Sequence, residues 1–319
     1  TEPLAAILSS FGTSLCEERI SEYRRRAREA AAGRVDLLNV TVDVSGDPID
    51  WDPPALDELP RLWRLKLHGF EPVYWLVMAT SPADPDAREW AATFEMWIAD
   101  WLDRYPVGET AYLRGAWTPY AVSKRVVNLA LLGAWQAAGG QPPGRPIRAA
   151  LQKNADFLAE NVEHDVGGNH VVENGVALTM AGSLLPQGAT YWDAGLSTLS
   201  DAAKDQFLSD GGHYERSPMY HAQVLWGYLA VLDLCTRTGR PYPEVIADTA
   251  QRGMAFLAAL TPPDGRIPLL NDAVFGEAPS LDALRSYASQ IDRTGWDYGA
   301  PLCVDQPQSA LPDTGYYWL

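Results

Sequence analysis

Trp90-Ala-Ala-Thr-Phe94-Glu-Met-Trp97-Ile98-Ala-Asp-Trp101-Leu102 carries its large apolar side chains at i, i+4, i+7, i+8, i+11 and i+12. That spacing is one stripe down an α-helix, not the alternation of a strand. The same period returns in Val122, Val126, Val127, Leu129, Ala130 and Leu132 to Trp135. It returns again in Val224 to Leu234, where the apolar residues are dense enough for a helix buried nearly all round. Further helices are expected near 15–31, 60–79, 147–162, 170–184, 192–208, 243–260 and 281–290. The breakers between them include Ser81-Pro82, Tyr105-Pro106, Gly139-Gly140-Gln141-Pro142-Pro143-Gly144, Gly167-Gly168, Gly211-Gly212, Gly239-Arg240-Pro241 and Pro262-Pro263-Asp264-Gly265. Short Pro/Gly loops between amphipathic helices make antiparallel helical hairpins, and there are more of them than a four-helix bundle holds. The reading is all-α, with hairpins in a ring or arc. Fixed-period arrays are disfavoured because no repeat recurs, and nucleotide-binding α/β folds because no Gly-rich phosphate loop follows a strand.

Two segments depart from helix. Residues 35–52 alternate weakly through Leu38, Val40, Val42 and Val44, which predicts extended chain. At the other end, Leu311-Pro-Asp-Thr-Gly-Tyr316-Tyr317-Trp318-Leu319 reads as a turn followed by an aromatic strand. The expected domain plan is a helical domain over 1–305, then a linker and the first strand of a truncated β-sandwich over 306–319.

Over 319 residues, 25 Lys and Arg oppose 41 Asp and Glu, a net charge of −16. The imbalance is uneven: residues 1–150 hold 16 basic and 20 acidic groups, and 151–319 hold 9 and 21. Such a field disfavours nonspecific nucleic-acid binding or an anionic membrane surface, so an anionic ligand must meet a local cluster. No apolar run reaches the length of a membrane span, and no leader pattern opens the chain. The compartment and the oligomeric state are left open. Cys16, Cys235 and Cys303 are odd in number, distant and without CxxC spacing, so they read as ordinary thiols.

The densest polar run is Asp210-Gly211-Gly212-His213-Tyr214-Glu215-Arg216-Ser217-Pro218-Met219-Tyr220-His221. Ser217 is suited to an N-cap and Pro218 to the first helical position, which puts Tyr220 and His221 in the first turn of a helix and His213, Glu215 and Arg216 on the loop before it. The second run is Gly167-Gly168-Asn169-His170-Val171-Val172-Glu173-Asn174. Here Asn169 is read as a cap, with His170 and Glu173 three apart on one face. Trp117, Tyr120 and Arg125 suit a sugar groove, since aromatic faces stack on sugars and Arg grips carboxylates. Arg266, Asn271 and Asp272 follow a turn expected at the same rim. A polar network pinning helices, or a solvated helix face, accounts for the same residues without function.

Nucleophilic hydrolysis lacks G-x-S-x-G, HExxH is missing, and the spacings of His164, His170, His213 and His221 match no zinc template, so neither metal nor cofactor is expected. What remains is acid–base work by Tyr and His beside a neutral amide. That set suits β-elimination from a uronic acid, where Asn169 and His170 disperse charge on the carboxylate. Tyr220 is the expected base and acid, with His213 and Tyr214 in reserve.

These residues resemble the heparinase II/III family of polysaccharide lyases. The resemblance rests on Leu62-Trp63-Arg64-Leu65-Lys66-Leu67-His68, on Tyr120-Ala-Val-Ser123-Lys-Arg125-Val-Val-Asn128, on the two runs above, and on Pro263-Asp264-Gly265-Arg266-Ile-Pro-Leu-Leu-Asn271-Asp272. It implies an incomplete (α/α) toroid followed by a β-sandwich, with an acidic polysaccharide in the cleft between them. It also implies carboxylate neutralisation by Asn169 and His170, proton transfer by Tyr220, and substrate contacts from Glu173, Tyr214, Glu215, Arg216 and His221. A His from the β-sandwich side usually completes such sites and has no counterpart in this chain. Family members are often periplasmic or secreted. The charge of −16 favours an unsulfated uronan over a highly sulfated one. Two other classes fit the same residues: a carbohydrate-binding or assembly domain without turnover, and a glycoside hydrolase pairing Glu173 or Glu215 with Asp272.

Overall fold

A computed structural model describes residues 2–108, 115–292 and 310–317. They form twelve α-helices and two short two-stranded sheets. The chain divides into two compact units, Thr1–Val162 with Met180–Trp192, and Glu163–Thr179 with Asp193–Leu319.

The first unit holds α1 (Glu2–Gly12), α2 (Glu17–Ala31), β1 (Arg34–Leu37), β2 (Val40–Asp43), α3 (Arg61–His68), α4 (Glu71–Ala79), α5 (Pro85–Arg104), α6 (Pro119–Ala138) and α7 (Arg145–Glu160). The tryptophan stripe lies on α5, where Asp84 caps the start by accepting from Asp86 N and Pro85 takes the first turn. Phe94, Trp97, Ile98 and Trp101 are buried. Burying an indole strands its N–H unless an acceptor is met. Five buried tryptophans meet one: Trp51 donates to Asp100, Trp63 to Val40 O, Trp101 to His68 Nδ1, Trp117 to Tyr105 O and Trp135 to Thr80 O.

The extended chain expected over 35–52 is the β1–β2 hairpin, closed by Leu38 and Asn39, both at positive φ as a two-residue turn of the primed kind requires. The helix expected over 60–79 is interrupted. Phe70 adopts φ 59° and Pro72 enters the next first turn, so the chain cannot continue helical through Gly69. Asn128 Nδ2 donates to the freed carbonyls of Gly69 and Phe70 at 2.8 and 3.3 Å. Helix α1 was not expected, although its buried Leu4, Ile7, Leu8 and Phe11 keep the helical period.

Arg125 of α6 is 0% exposed. Its guanidinium donates to Asn154 Oδ1 at 2.8 Å, to Ala116 O at 2.8 Å and to His68 O, and lies 3.9 Å from the Trp101 ring centroid. Three oxygens and an aromatic face thus solvate a buried cation that has no carboxylate partner among the described residues.

The second unit contains α10 (Pro218–Thr238), α11 (Glu244–Leu260), α12 (Leu281–Asp292), β3 (Ala310–Leu311) and β4 (Tyr316–Tyr317). Helices α8 (Gly168–Leu184) and α9 (Gly188–Gln206) each contribute residues to both units. Helix α10 is buried on almost every side from Val224 to Leu234, as its composition predicts. Its Asp233 accepts from Arg237 at 2.7 Å and from Tyr287 of α12 at 3.1 Å. The aromatic strand expected at the end is β4, paired back on β3. Residues 293–309, including Cys303, lie outside the described residues. No helix among the described residues is long and apolar enough to cross a membrane.

Candidate functional site at the start of helix α8

The first amides of a helix have no partner within it and carry the positive end of its dipole. At α8 those amides are met from the 210s loop. Gly168 N donates to Tyr214 Oη at 2.8 Å, and Asn169 N donates to Glu215 Oε2 at 3.0 Å. The contact needs bare backbone, because a Cβ on Gly168 (φ 58°) would lie 2.7 Å from Glu215 Oε1. Asn169 is therefore not the cap its sequence suggests. The helix begins one residue earlier, and Tyr214 and Glu215 take the capping role across 46 residues of sequence. The Asn169 side chain, 6% exposed, makes no hydrogen bond among the described residues. Its amide is not among the buried polar atoms without a partner, so it reaches the surface, where a ligand can meet it.

The loop that delivers Tyr214 and Glu215 is held at several points. Phe207 and His213 form an isolated bridge, Tyr214 N donates to Gln206 O at 2.8 Å, and Arg216 turns at φ 54°. The Arg216 carbonyl accepts from Tyr316 Oη at 2.6 Å and from the Asn271 amide, itself at φ 52°. Two non-glycine residues in the left-handed region that brace each other mark a place where backbone strain is maintained. Asp210 Oδ2 accepts from Asp313 N, Thr314 N and Thr314 Oγ1 at 3.0, 2.7 and 2.9 Å, which ties the β3–β4 turn to the same loop. Ser217 caps α10 by accepting from Tyr220 N, with Pro218 in the first position, as the sequence implies. That cap places half-buried Tyr220 in the first turn of α10.

His213 and His221 are not at the surface. Each is 1% exposed, and burial lowers their pKa values to about 3 and about 4. His221 Nε2 donates to Gly253 O at 2.9 Å while its Nδ1 accepts from His213 N at 3.3 Å, which fixes the tautomer. His213 Nε2 lies 3.0 Å from Gln206 Oε1, and its Nδ1 faces Glu215 Oε2 at 3.5 Å. With Nε2–H given to Gln206, Nδ1 presents a lone pair to that carboxyl. Burial raises the Glu215 pKa, opposed by the Asn169 amide and His170. His213 and His221 are both closed off from the surface.

These two histidines, with His68, whose pKa burial lowers to about 3, set an expected acid response. Their folded-state values lie below the unfolded value of about 6.5, so below that pH the unfolded chain takes up protons that the folded chain does not. Stability is expected to be complete above about pH 6.5 and to fall as the pH drops toward the lowered values, read as urea midpoints at pH 7, 6 and 5. A midpoint unchanged over that range would show that the three imidazoles are not buried as neutral groups.

The other site residues fall as follows. Glu163 Oε1 lies 3.2 Å from His170 Nδ1, and Asn174 holds that glutamate by accepting from Glu163 N at 2.8 Å. Sequence reading missed Glu163, since it precedes α8 and shares no helical period with His170; it missed Gln206 for the same reason. Glu173 is 6% exposed, inside the unit and not along a surface. Arg216, Arg266, Asp272 and Tyr214 are exposed, with Arg266 paired to Asp264 at 3.0 Å and lying over Phe275. Trp117, Tyr120 and Arg125 belong to the first unit. Trp117 and Arg125 are fully buried there, which removes them from any groove lining; they are core residues that solvate one another. Tyr120 stays half-buried under Lys124. No group of three or more His, Cys, Asp or Glu among the described residues is arranged to hold a metal.

Several known proteins are similar to this chain. The chain is 23% identical to a heparin-sulfate lyase of Pedobacter heparinus over 86% of its own length and 48% of the relative's. It is 26% identical to the FtsZ-localized protein C of Caulobacter vibrioides over 66% of its own length and 34% of the relative's. A crystal structure of heparinase III superposes with a TM-score of 0.68 at 19% identity, covering 87% of this chain and 45% of that one. At that identity the likeness establishes the helical fold. The chain spans about half the length, or less, of these relatives. The family profile for the heparinase II/III N-terminus runs from residue 38 to 292 and takes in Asn169, His170, the whole 210–221 loop and Asn271. With the expected fold present and the match covering most of the sequence, the chain belongs to the heparinase II/III N-terminus family.

Proposed function

We propose that this chain is the helical part of a polysaccharide lyase that cleaves a uronic-acid-containing polymer by β-elimination. The observation that carries the proposal is the unpaired Asn169 amide in the first turn of α8, beside His170 and within the field of a helix start. The proton at C5 of a uronate is removable only when the charge that develops on the neighbouring carboxylate is dispersed. Asn169 Nδ2 donates to one carboxylate oxygen. His170, whose Nδ1 lies 3.2 Å from Glu163 Oε1, directs Nε2 to the other. Tyr220, as the phenolate, takes the C5 proton, the electron pair forms the C4–C5 double bond as the C4–O4 bond breaks, and the phenol so formed passes that proton to O4. Glu215 occupies the α8 amides, which leaves the Asn169 side chain as the donor facing substrate. A β-sandwich following residue 306 belongs to this proposal.

The test uses the ultraviolet absorption of the unsaturated uronate, which elimination creates and hydrolysis does not. Alginate, unsulfated heparosan and heparin are supplied to the chain and to its Tyr220→Phe variant. The expected result is absorbance growing faster on an unsulfated uronan than on heparin, and loss of product by at least about 100-fold in Tyr220→Phe. Chain cleavage without absorbance would replace the lyase with the glycoside hydrolase. A second reading, a binding or assembly domain, draws support from the FtsZ-localized relative, whose name describes placement and not turnover. Uronan binding without product, unchanged by Tyr220→Phe, would favour it.

A further inference from the structure

The first unit contains a cavity of about 490 Å³ that shares no residue with the α8 site. Its walls are aliphatic: Leu129 and Gly133 of α6, Pro143 of the α6–α7 loop, Ile147 and Leu151 of α7, Leu184 at the end of α8, and Leu185 and Pro186 after it. Arg145, Arg148 and Gln152 complete the lining. Pro143 and the α6 backbone approach so closely that a Cβ on Gly133 would lie 3.3 Å from Pro143 Cγ, so the glycine keeps this wall open.

The charges around the cavity are unusual for this chain. In a molecule of net charge −16, Arg145 and Arg148 are both exposed, and neither pairs with a carboxylate among the described residues. Arg148 donates to the Pro143 carbonyl, which holds it at the lip. The nearby carboxylates are engaged elsewhere: Glu95 accepts from Gln136, and Asp156 from Tyr191 and Gln152. Two uncompensated guanidinium groups therefore stand over an apolar hollow of a size that holds a small molecule.

We propose that this cavity binds a single-chain anionic amphiphile, with its aliphatic body in the hollow and its carboxylate at Arg145 and Arg148. Sugar is a poor occupant, because no aromatic side chain lines the walls and a sugar ring needs an aromatic face. Aliphatic walls match an alkyl chain, and a planar guanidinium matches a carboxylate with two parallel hydrogen bonds. The site stands independently of the lyase reading.

Decanoate, kept below its micelle concentration, is the probe, with decyltrimethylammonium and acetate as counterparts that lack one half of the chemistry. Calorimetric titration of the full chain is expected to show saturable one-to-one binding of decanoate, at least tenfold tighter than either counterpart. Exposed Ala149 also lines the hollow, so Ala149→Trp fills it at little risk to folding and is expected to weaken decanoate at least tenfold. The Arg145→Glu, Arg148→Glu double variant is expected to do the same, both with unchanged melting temperatures in the absence of ligand. Equal binding of decanoate and decyltrimethylammonium would overturn the assignment. So would wild-type affinity in Ala149→Trp, or no saturable binding in the millimolar range.

Discussion

Asn169→Ala is expected to lower the rate of uronan elimination by about 100- to 1,000-fold, the usual consequence of deleting one donor that meets developing negative charge. The loss should fall mainly on kcat, because the amide's interaction strengthens as the carboxylate gains charge in the transition state. Stability supplies the control. The Asn169 side chain has no hydrogen-bond partner among the described residues, so its removal is expected to shift the unfolding free energy by less than about 0.5 kcal/mol, as for positions outside any network. A large stability loss together with the rate loss would make Asn169 a structural residue. A rate within threefold of wild type would remove it from the reaction.

Arg125→Ala is expected to have the opposite signature. The guanidinium is wholly buried, and its deletion leaves His68 O, Ala116 O and Asn154 Oδ1 without their donor and a gap against Trp101. Unpaired buried acceptors cost about 1–3 kcal/mol each, and removal of one member of a buried charged network typically costs about 3–5 kcal/mol in all. A loss in that range, read from urea unfolding, is expected for Arg125→Ala. Arg125→Lys should recover only part of it, because an ammonium cannot serve three acceptors in the plane of a fork. A loss below about 1 kcal/mol would mean that the oxygens find other donors or water.

Helix period made most of the fold legible. The α5 stripe, the α10 core and the Ser217–Pro218 start are where spacing and capping chemistry put them. The break at Gly69–Phe70 was legible too, in Pro72, but the apolar run on both sides of it masked the signal. Site residues were legible as types and not as environments. Arg125 beside Trp117 has the composition of a sugar groove and is instead a solvated core cation, because burial is decided by which helices pack on α6 and not by local pattern. His213 and His221 have the composition of acid–base catalysts and are buried imidazoles whose pKa values burial lowers, held by Gln206 and Gly253. The contact that organises the site, Glu215 on the Asn169 amide, spans 46 residues and leaves no periodic trace.

The most direct measurement of the central claim is a crystal structure of the Tyr220→Phe chain with a uronate tetrasaccharide, which records where the carboxylate binds whether or not turnover occurs. A uronate oxygen at about 2.9 Å from Asn169 Nδ2, with His170 Nε2 at the same group and position 220 on the C5 side of that ring, is the predicted result. A saccharide bound with its carboxylate away from the start of α8, or an Asn169 amide still unpartnered in the complex, would contradict it.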